Sequence, residues 1–95
     1  MRVALALDPN YNVIKSIIIT GDFFVSPRRA ILDLEARLKF IPASENSIRR
    51  VVREFFEENS VDMPGITPDD IASLIIEAVR KGRVRRDARP VHGGS

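Results

Sequence analysis

One acidic side chain, Asp22, lies between an apolar run and two phenylalanines in the segment IIITGDFFVSP, residues 17–27. A carboxylate in this place could transfer a proton in catalysis, accept hydrogen bonds from a turn, or hold a docking surface in shape. Proton transfer needs a second titrating group, and the single histidine, His92, lies in a segment without hydrophobic periodicity. The sequence therefore favours a turn or a docking surface over catalysis by Asp22.

The other residue types that catalysis or cofactor binding would use are absent or isolated. There is no Cys, which excludes thiol nucleophiles and Cys-ligated metals. Neither G-x-x-x-x-G-K-[ST] nor G-x-G-x-x-G occurs, so no phosphate cradle for ATP or a dinucleotide is predicted. Asp69 and Asp70 follow Thr67-Pro68 at a predicted helix start, where acidic side chains stabilise the helix dipole. We therefore expect no catalytic residue, no bound cofactor and no metal ion in this chain alone.

The elements that position Asp22 are predicted from the hydrophobic pattern. Val3, Leu5 and Leu7 alternate with alanines, turn residues follow, and residues 13–20 have the pattern of a second strand, which together predicts a β-hairpin. The run Ile17–Ile19 places apolar side chains on both faces of that strand, so neither face is simply solvated. A further strand, or helices together with a partner, must cover the hairpin.

Three helices are predicted after the hairpin. Ser26-Pro27 is typical of an N-cap followed by a proline at the first helical position, and Pro42 ends the first apolar stripe. The first predicted helix spans about 27–41. The second begins near Ser44 to Ser47, where more than one residue suits the N-cap, and ends at about Glu58. The third spans about 68–81, with Gly82 as its stop. The fold class is therefore α+β: a small antiparallel sheet, made of the hairpin with room for an extra strand, packed by three α-helices.

The corner between the second strand and the first helix is the candidate site. Gly21 predicts a bend that needs a permissive backbone, and Asp22 predicts an acceptor for backbone N–H groups. Phe23 and Phe24 do not both fit easily into one small core, so we expect one ring to be exposed as an interface anchor. We assign Gly21, Asp22, Phe23 and Phe24 as a partner interface or structural corner.

The charge is divided unevenly along the chain. Residues 1–79 hold 9 basic and 12 acidic side chains, a net charge of −3, whereas residues 80–95 hold 6 and 1, a net charge of +5. A basic tail of this kind could bind nucleic acid electrostatically, but it has no aromatic ring for base stacking. We predict a domain over residues 1–82 and a basic flexible tail over residues 83–95.

No secretory signal and no long apolar run is present, which predicts a cytoplasmic protein without membrane contact.

Several of these segments, taken in order, resemble a known family. They are the hairpin that runs into GDFF, the helix ILDLEARL, the loop PGIT and the segment TPDDIASLIIEAV. They resemble the C-terminal accessory domain of lipoate protein ligase, most closely the archaeal type in which this domain is a separate polypeptide. The resemblance covers about Val3 to Val79, and its most specific part is ITGDFFVSP followed at the right distance by Leu34-Glu35.

The resemblance implies that two subunits have different roles, one catalytic and one accessory. Lipoate protein ligase activates lipoate with ATP to lipoyl-adenylate and transfers the lipoyl group to a lysine of an acyl-carrier domain. The catalytic subunit holds ATP, Mg²⁺ and lipoate, and the accessory domain is needed for adenylation. The resemblance thus implies that this chain is inactive alone, forms a heterodimer with a catalytic subunit, and has lipoyl-acceptor domains as indirect partners.

Two alternatives remain open from the residues themselves. The basic C-terminal segment would suit a nucleic-acid-associated protein, although the acidic balance of residues 1–79 opposes it. A hairpin with three helices would equally suit an unrelated α+β interaction module, because a fold does not determine a function.

Overall fold

A computed structural model describes the backbone of residues 1–92 and the side chains of residues 1–81. Two strands are followed by three helices: β1 (Arg2–Leu7), β2 (Ile14–Thr20), α1 (Ala30–Leu38), α2 (Glu45–Asn59) and α3 (Pro68–His92). The two strands form one antiparallel sheet, and the described residues add no third strand to it. The predicted α+β class with an antiparallel hairpin and three helices is confirmed.

The hairpin has a defined register and a locally stabilised turn. Arg2 lies opposite Thr20 and Leu5 opposite Ile17, with an irregularity between Ala6 and Leu7. In the connecting turn the Asp8 carboxylate accepts hydrogen bonds from the backbone N–H groups of residues 10 and 11, at 2.8 and 3.2 Å. This turn chemistry explains why the sequence pattern located the hairpin correctly.

The core lies between one face of the sheet and the three helices. Helix α1 packs beside β2, helix α3 packs beside β1, and helix α2 contacts both of these helices. Ile17 and Ile19 are buried, whereas Ile18 between them is 59% exposed, so the helices cover one face of the sheet only. The largest fully buried side chains are Ile14, Leu34, Leu38, Ile48, Val52, Ile71 and Ile75.

The prediction for the start of helix α1 was wrong. The helix begins at Ala30, the side chain of its N-cap residue Arg29 makes no capping hydrogen bond, and the Ser26–Pro27 peptide bond is cis. Ser26 is instead paired with Asp62, because each backbone N–H donates to the other residue's carbonyl at 2.9 Å. The carbonyl of Ser26 thus accepts from Asp62, whereas the N–H of Ala30 donates to the carbonyl of Pro27, and the helix starts at Ala30, three residues later than predicted.

The predicted end of helix α1 was also too late. Leu38 is its last residue, and Phe40 has a left-handed backbone with φ of 66°. The N–H of Phe40 donates to the carbonyl of Ile14 at 2.6 Å, and the N–H of Ile14 donates to the carbonyl of Ile41 at 3.0 Å. Pairing with the start of β2 therefore takes residues 40 and 41 out of the helix.

Helix α3 begins where its capping signal predicted, and in helix α2 the structure shows that Ser44 is the N-cap, which the sequence had left open. The Ser44 hydroxyl accepts a hydrogen bond from the N–H of Ser47 at 3.3 Å. Thr67 and Asp70 form a reciprocal capping box, with N–H to side-chain distances of 2.9 and 3.1 Å. The predicted stop at Gly82 was wrong, because α3 continues to His92.

The helix passes Gly82 for a simple energetic reason. A glycine inside a helix costs about 0.5–1 kcal/mol relative to alanine, and the Arg and Lys residues around it favour helix. The flexible character predicted for residues 83–95 and the domain division after residue 82 stay predictions. Residues 93–95 lie outside the described part of the chain.

Candidate partner interface

The four predicted site residues, Gly21 to Phe24, connect the end of β2 to the extended segment before α1. Gly21 has φ of +141°, a backbone conformation that side chains with a Cβ rarely adopt. A Cβ added there would lie 2.8 Å from the Cα of Met1. Position 21 therefore requires glycine for two reasons: a side chain would strain the backbone, and its Cβ would clash with Met1.

The side chain of Asp22 is exposed at this corner. Within residues 1–81 it has no hydrogen bond and no ion pair, so the backbone acceptor role predicted for it is not observed. The Asp8 carboxylate makes hydrogen bonds of that kind, but it does so in the hairpin turn. Asp22 thus presents an unpaired carboxylate on the surface beside the two phenylalanines, as far as the described side chains show.

The two phenylalanines point in opposite directions, as residues in an extended segment do. Phe23 is half-buried and packs against the hydrophobic core, together with Val25. Phe24 lies between them and is 85% exposed, more than any other large hydrophobic residue among residues 1–81. The sequence had left open which ring faces the core, and the alternation in this segment decides it.

The exposed ring of Phe24 lies on a backbone that is fixed at both ends. Gly21 contacts the chain at Met1, and Ser26 is paired with Asp62 through two hydrogen bonds. An open depression of about 610 Å³ lies beside Phe24. It is lined by Phe23, Phe24, Val25, Ser26, Arg28, Asp62 and Pro64. A fixed aromatic ring beside a depression is a typical binding anchor.

A residue of helix α1 takes part in holding β2 in place. The Glu35 carboxylate Oε2 accepts a hydrogen bond from the backbone N–H of Ile19 at 2.7 Å. This contact covers the outer edge of β2, which no strand occupies among the described residues. The sequence motif Leu34-Glu35 indicated that the position matters, but not that the side chain caps a strand edge, because that pairing joins residues sixteen positions apart.

The acidic residues at the start of α3 have structural partners. The Asp69 carboxylate lies 3.9 Å from a guanidinium nitrogen of Arg49 and 3.8 Å from one of Arg53. Asp70 belongs to the capping box, and Arg80 pairs with Glu45 at 3.5 Å. These exposed ion pairs connect α2 with α3, and each is worth at most about 1 kcal/mol.

Within the described residues, the side chains do not form a cluster of three or more His, Asp or Glu that could hold a metal ion. The described helices also include none that is both long and apolar enough to cross a bilayer. What the described part of the chain does present is an exposed aromatic ring at the corner after β2. The fold defines a small α+β domain in which a hairpin packs against three helices.

Comparison with known proteins identifies the family. The chain is 38% identical over 75 residues to lipoate-protein ligase A subunit 2 of Thermoplasma acidophilum, which covers 79% of this chain and 74% of the relative. It is also similar to a chain in a solved structure of an archaeal lipoylation system, a bipartite lipoate protein ligase and its E2 lipoyl domain from the same organism. That similarity has a TM-score of 0.64 and 34% identity, and covers 77% of this chain and 80% of the solved one.

The chain therefore belongs to the family of lipoate-protein ligase A subunit 2. The family that the sequence motifs resembled is thereby confirmed. No family model matches the sequence.

Proposed function

We propose that this chain is the non-catalytic accessory subunit of a two-part lipoate protein ligase. It binds a separate catalytic subunit, and the pair activates lipoate with ATP to lipoyl-adenylate for protein lipoylation. The observation that carries the proposal is the 38% identity, over most of both chains, to a protein named as the second subunit of such a ligase. The similar solved structure is likewise of a bipartite ligase.

The geometry supports docking rather than independent chemistry. The corner from Gly21 to Phe24 exposes an aromatic ring on a constrained backbone. Because contacts at Gly21 and Ser26 hold the backbone that carries the ring, a partner that covers the ring orders little additional backbone, which suits a binding anchor. We therefore place the contact with the catalytic subunit at this corner.

The cofactors of the reaction belong, in this proposal, to the partner. ATP, Mg²⁺ and lipoate would be held by the catalytic subunit, since the sequence of this chain has no nucleotide-binding motif. The acceptor would be a lipoyl domain, the kind of protein that accompanies the ligase in the similar solved structure. The cytoplasmic location inferred from the sequence is part of the same proposal.

The test is a pyrophosphate-release assay with the cognate catalytic subunit, ATP and lipoate. We expect release to depend on this chain and to saturate at a fixed ratio of the two subunits. The chain alone serves as the control for contaminating activity. Equal release by the catalytic subunit with and without this chain would remove the proposal.

Nucleic-acid binding through the basic C-terminal segment is the alternative that the charge distribution had left open. Residues 1–79 carry a net charge of −3, and the comparisons point to a ligase subunit instead. A chain truncated after residue 82 separates the two functions. The accessory role predicts unchanged stimulation of pyrophosphate release, whereas nucleic-acid binding predicts a loss of salt-sensitive RNA or DNA affinity.

A further inference from the structure

The outer edge of strand β1 has backbone groups that point away from its partner strand. The N–H of Ile19 donates to Glu35, so it points away from β1. Val3 lies opposite Ile19, and residues opposite one another in an antiparallel pair alternate between hydrogen-bonded and non-hydrogen-bonded pairs. The N–H and C=O groups of Val3, and of Leu5 two residues later, therefore point outward.

These outward groups have no partner among residues 1–81. Backbone hydrogen bonds outside the hairpin and the helices are made by the turn, the Ser26–Asp62 bridge and the loops, and none of them involves Val3 or Leu5. The opposite edge of the sheet differs, because Glu35 accepts from Ile19 and helix α1 packs beside β2. An open strand edge is a template for pairing with another chain.

A groove of about 420 Å³ runs along this edge. Residues 1–5 form one wall, and the α3 residues Leu74, Glu77, Ala78 and Lys81 form the other. Leu74 is 36% exposed, and Ala78 is small enough to leave room for incoming side chains. The groove therefore offers hydrogen-bonding groups along one side and apolar surface on the other, which are the two requirements for adding a strand.

The groove begins beside Gly21, the first residue of the proposed docking corner. Met1 lines the groove, and Gly21 approaches the backbone of Met1 so closely that a Cβ would be 2.8 Å from its Cα. The corner residue Gly21 therefore lies next to the start of the β1 edge.

The charges of the groove indicate the chemistry of its occupant. Glu77 and Lys81 pair with each other at 3.3 Å, so their charges offset one another. Arg2 also lines the groove and has no ion-pair partner within residues 1–81. A second copy of this chain would bring a second uncompensated Arg2 to the interface, whereas a segment with an acidic residue would complement it.

We propose that the β1 edge binds an extended segment of the catalytic subunit by strand addition. The segment carries apolar side chains at alternate positions, over Leu74 and Ala78, and an acidic residue beside Arg2. Its backbone pairs with the outward groups of Val3 and Leu5. This inference rests on the proposed function, because it takes the catalytic subunit as the partner.

Amide hydrogen exchange of the ¹⁵N-labelled chain, free and bound to the unlabelled catalytic subunit, tests the pairing directly. The N–H groups of Val3 and Leu5 should exchange fast in the free chain and at least about tenfold more slowly in the complex. The N–H groups of Ala4 and Ala6 face β2 and serve as internal controls. Fast exchange of Val3 and Leu5 in a saturated complex would overturn strand addition while leaving the accessory role intact.

A pair of variants in helix α3 tests the groove by binding affinity, independently of amide hydrogen exchange. Ala78→Arg fills the groove, whereas Ser73→Arg adds the same side chain at an exposed position of α3 outside it. Ala78→Arg should weaken binding to the catalytic subunit by at least about tenfold, the scale of two or more lost hydrogen bonds. Ser73→Arg should stay within about twofold of the unmodified chain.

The outcomes separate the two hypotheses. Equal affinities of both folded variants, as checked by circular dichroism, would contradict the groove as a binding site but not the accessory function. If the unmodified chain neither binds the catalytic subunit nor stimulates pyrophosphate release, the proposed function fails and strand addition fails with it.

Discussion

Replacement of Phe24 by alanine is the most direct test of the docking corner. The ring is 85% exposed, so its removal leaves the core intact and should change the free energy of unfolding by no more than about 0.5 kcal/mol. The same exposure makes most of the ring available to a partner. Phe24→Ala should therefore reduce binding while leaving the fold unchanged.

The size of the effect follows from the exposed area. A phenylalanine offers about 150–250 Å² of surface, so a ring that is 85% exposed retains roughly 130–210 Å² for a partner to cover. At about 25 cal/mol per Å² the upper bound is roughly 3–5 kcal/mol. The alanine that remains and incomplete coverage reduce this to about 2–3 kcal/mol, which corresponds to a Kd raised about 30- to 150-fold.

Isothermal titration of each variant into the catalytic subunit measures this change. The matched control is Tyr11→Ala, because Tyr11 is an aromatic residue that is 76% exposed and lies in the hairpin turn at the other end of the strands. A six-residue strand spans about 20 Å, so Tyr11 is remote from the corner. Unchanged affinity of Phe24→Ala, or an equal loss in Tyr11→Ala, would refute the reasoning.

Three further predictions concern the elements that hold the corner and the sheet. Gly21→Ala should lower the free energy of unfolding by about 1–3 kcal/mol, because it combines backbone strain with a clash against Met1; urea titration measures it. Glu35→Ala should cost about 1.5–3 kcal/mol by leaving the N–H of Ile19 without its charged acceptor, and Glu35→Gln should cost less; both are read from thermal melts. Leu34→Ala, at a fully buried site, should cost about 2–5 kcal/mol in the same melts.

Matched variants isolate the cause in each case. Gly65 also has a positive φ, of 80°, but no atom within 4 Å of an added Cβ, so Gly65→Ala carries backbone strain without the clash. Gly21→Ala should lower the free energy of unfolding more than Gly65→Ala does, and the reverse order would contradict the role of Met1.

Glu54→Ala removes an exposed carboxylate with no described partner, so it is the control for Glu35→Ala. If it lowered the stability as much as Glu35→Ala does, the result would argue against edge capping. A Leu34→Ala chain as stable as the unmodified one would contradict its place in the core.

Much of the architecture was determined by short-range patterns in the sequence. The hairpin, the existence of three helices and the cap at Thr67 all follow from side chains within a few residues of one another. The sequence left the cap of α2 open between Ser44 and Ser47, and the structure shows Ser44. Hydrophobic periodicity determines which helix face is buried, and a capping side chain reaches only its own first turn. The same hairpin, helices and caps would form in any fold that buries the same faces. They could therefore be inferred from the sequence without knowing the tertiary structure.

The details of the corner were decided by contacts between distant parts of the chain. Ser26 pairs with Asp62 and not with the first turn of α1, and the N–H of Phe40 donates to the carbonyl of Ile14. Glu35 reaches the edge of β2, and Gly21 lies against Met1. A local capping signal is worth only about 1 kcal/mol, so two backbone hydrogen bonds to a remote segment outweigh it.

In the segment GDFF, residues 21–24, some features follow from the local sequence and others from contacts with distant residues. The sequence by itself determined that a glycine bend, an acid and two rings follow an apolar strand, and that catalysis by Asp22 lacked a partner group. The tertiary structure decided that Phe23 packs against the core and Phe24 faces outward. The direction of each ring depends on how Gly21 and Ser26 fix the ends of the extended segment, and both of those contacts are made by residues far away in the chain.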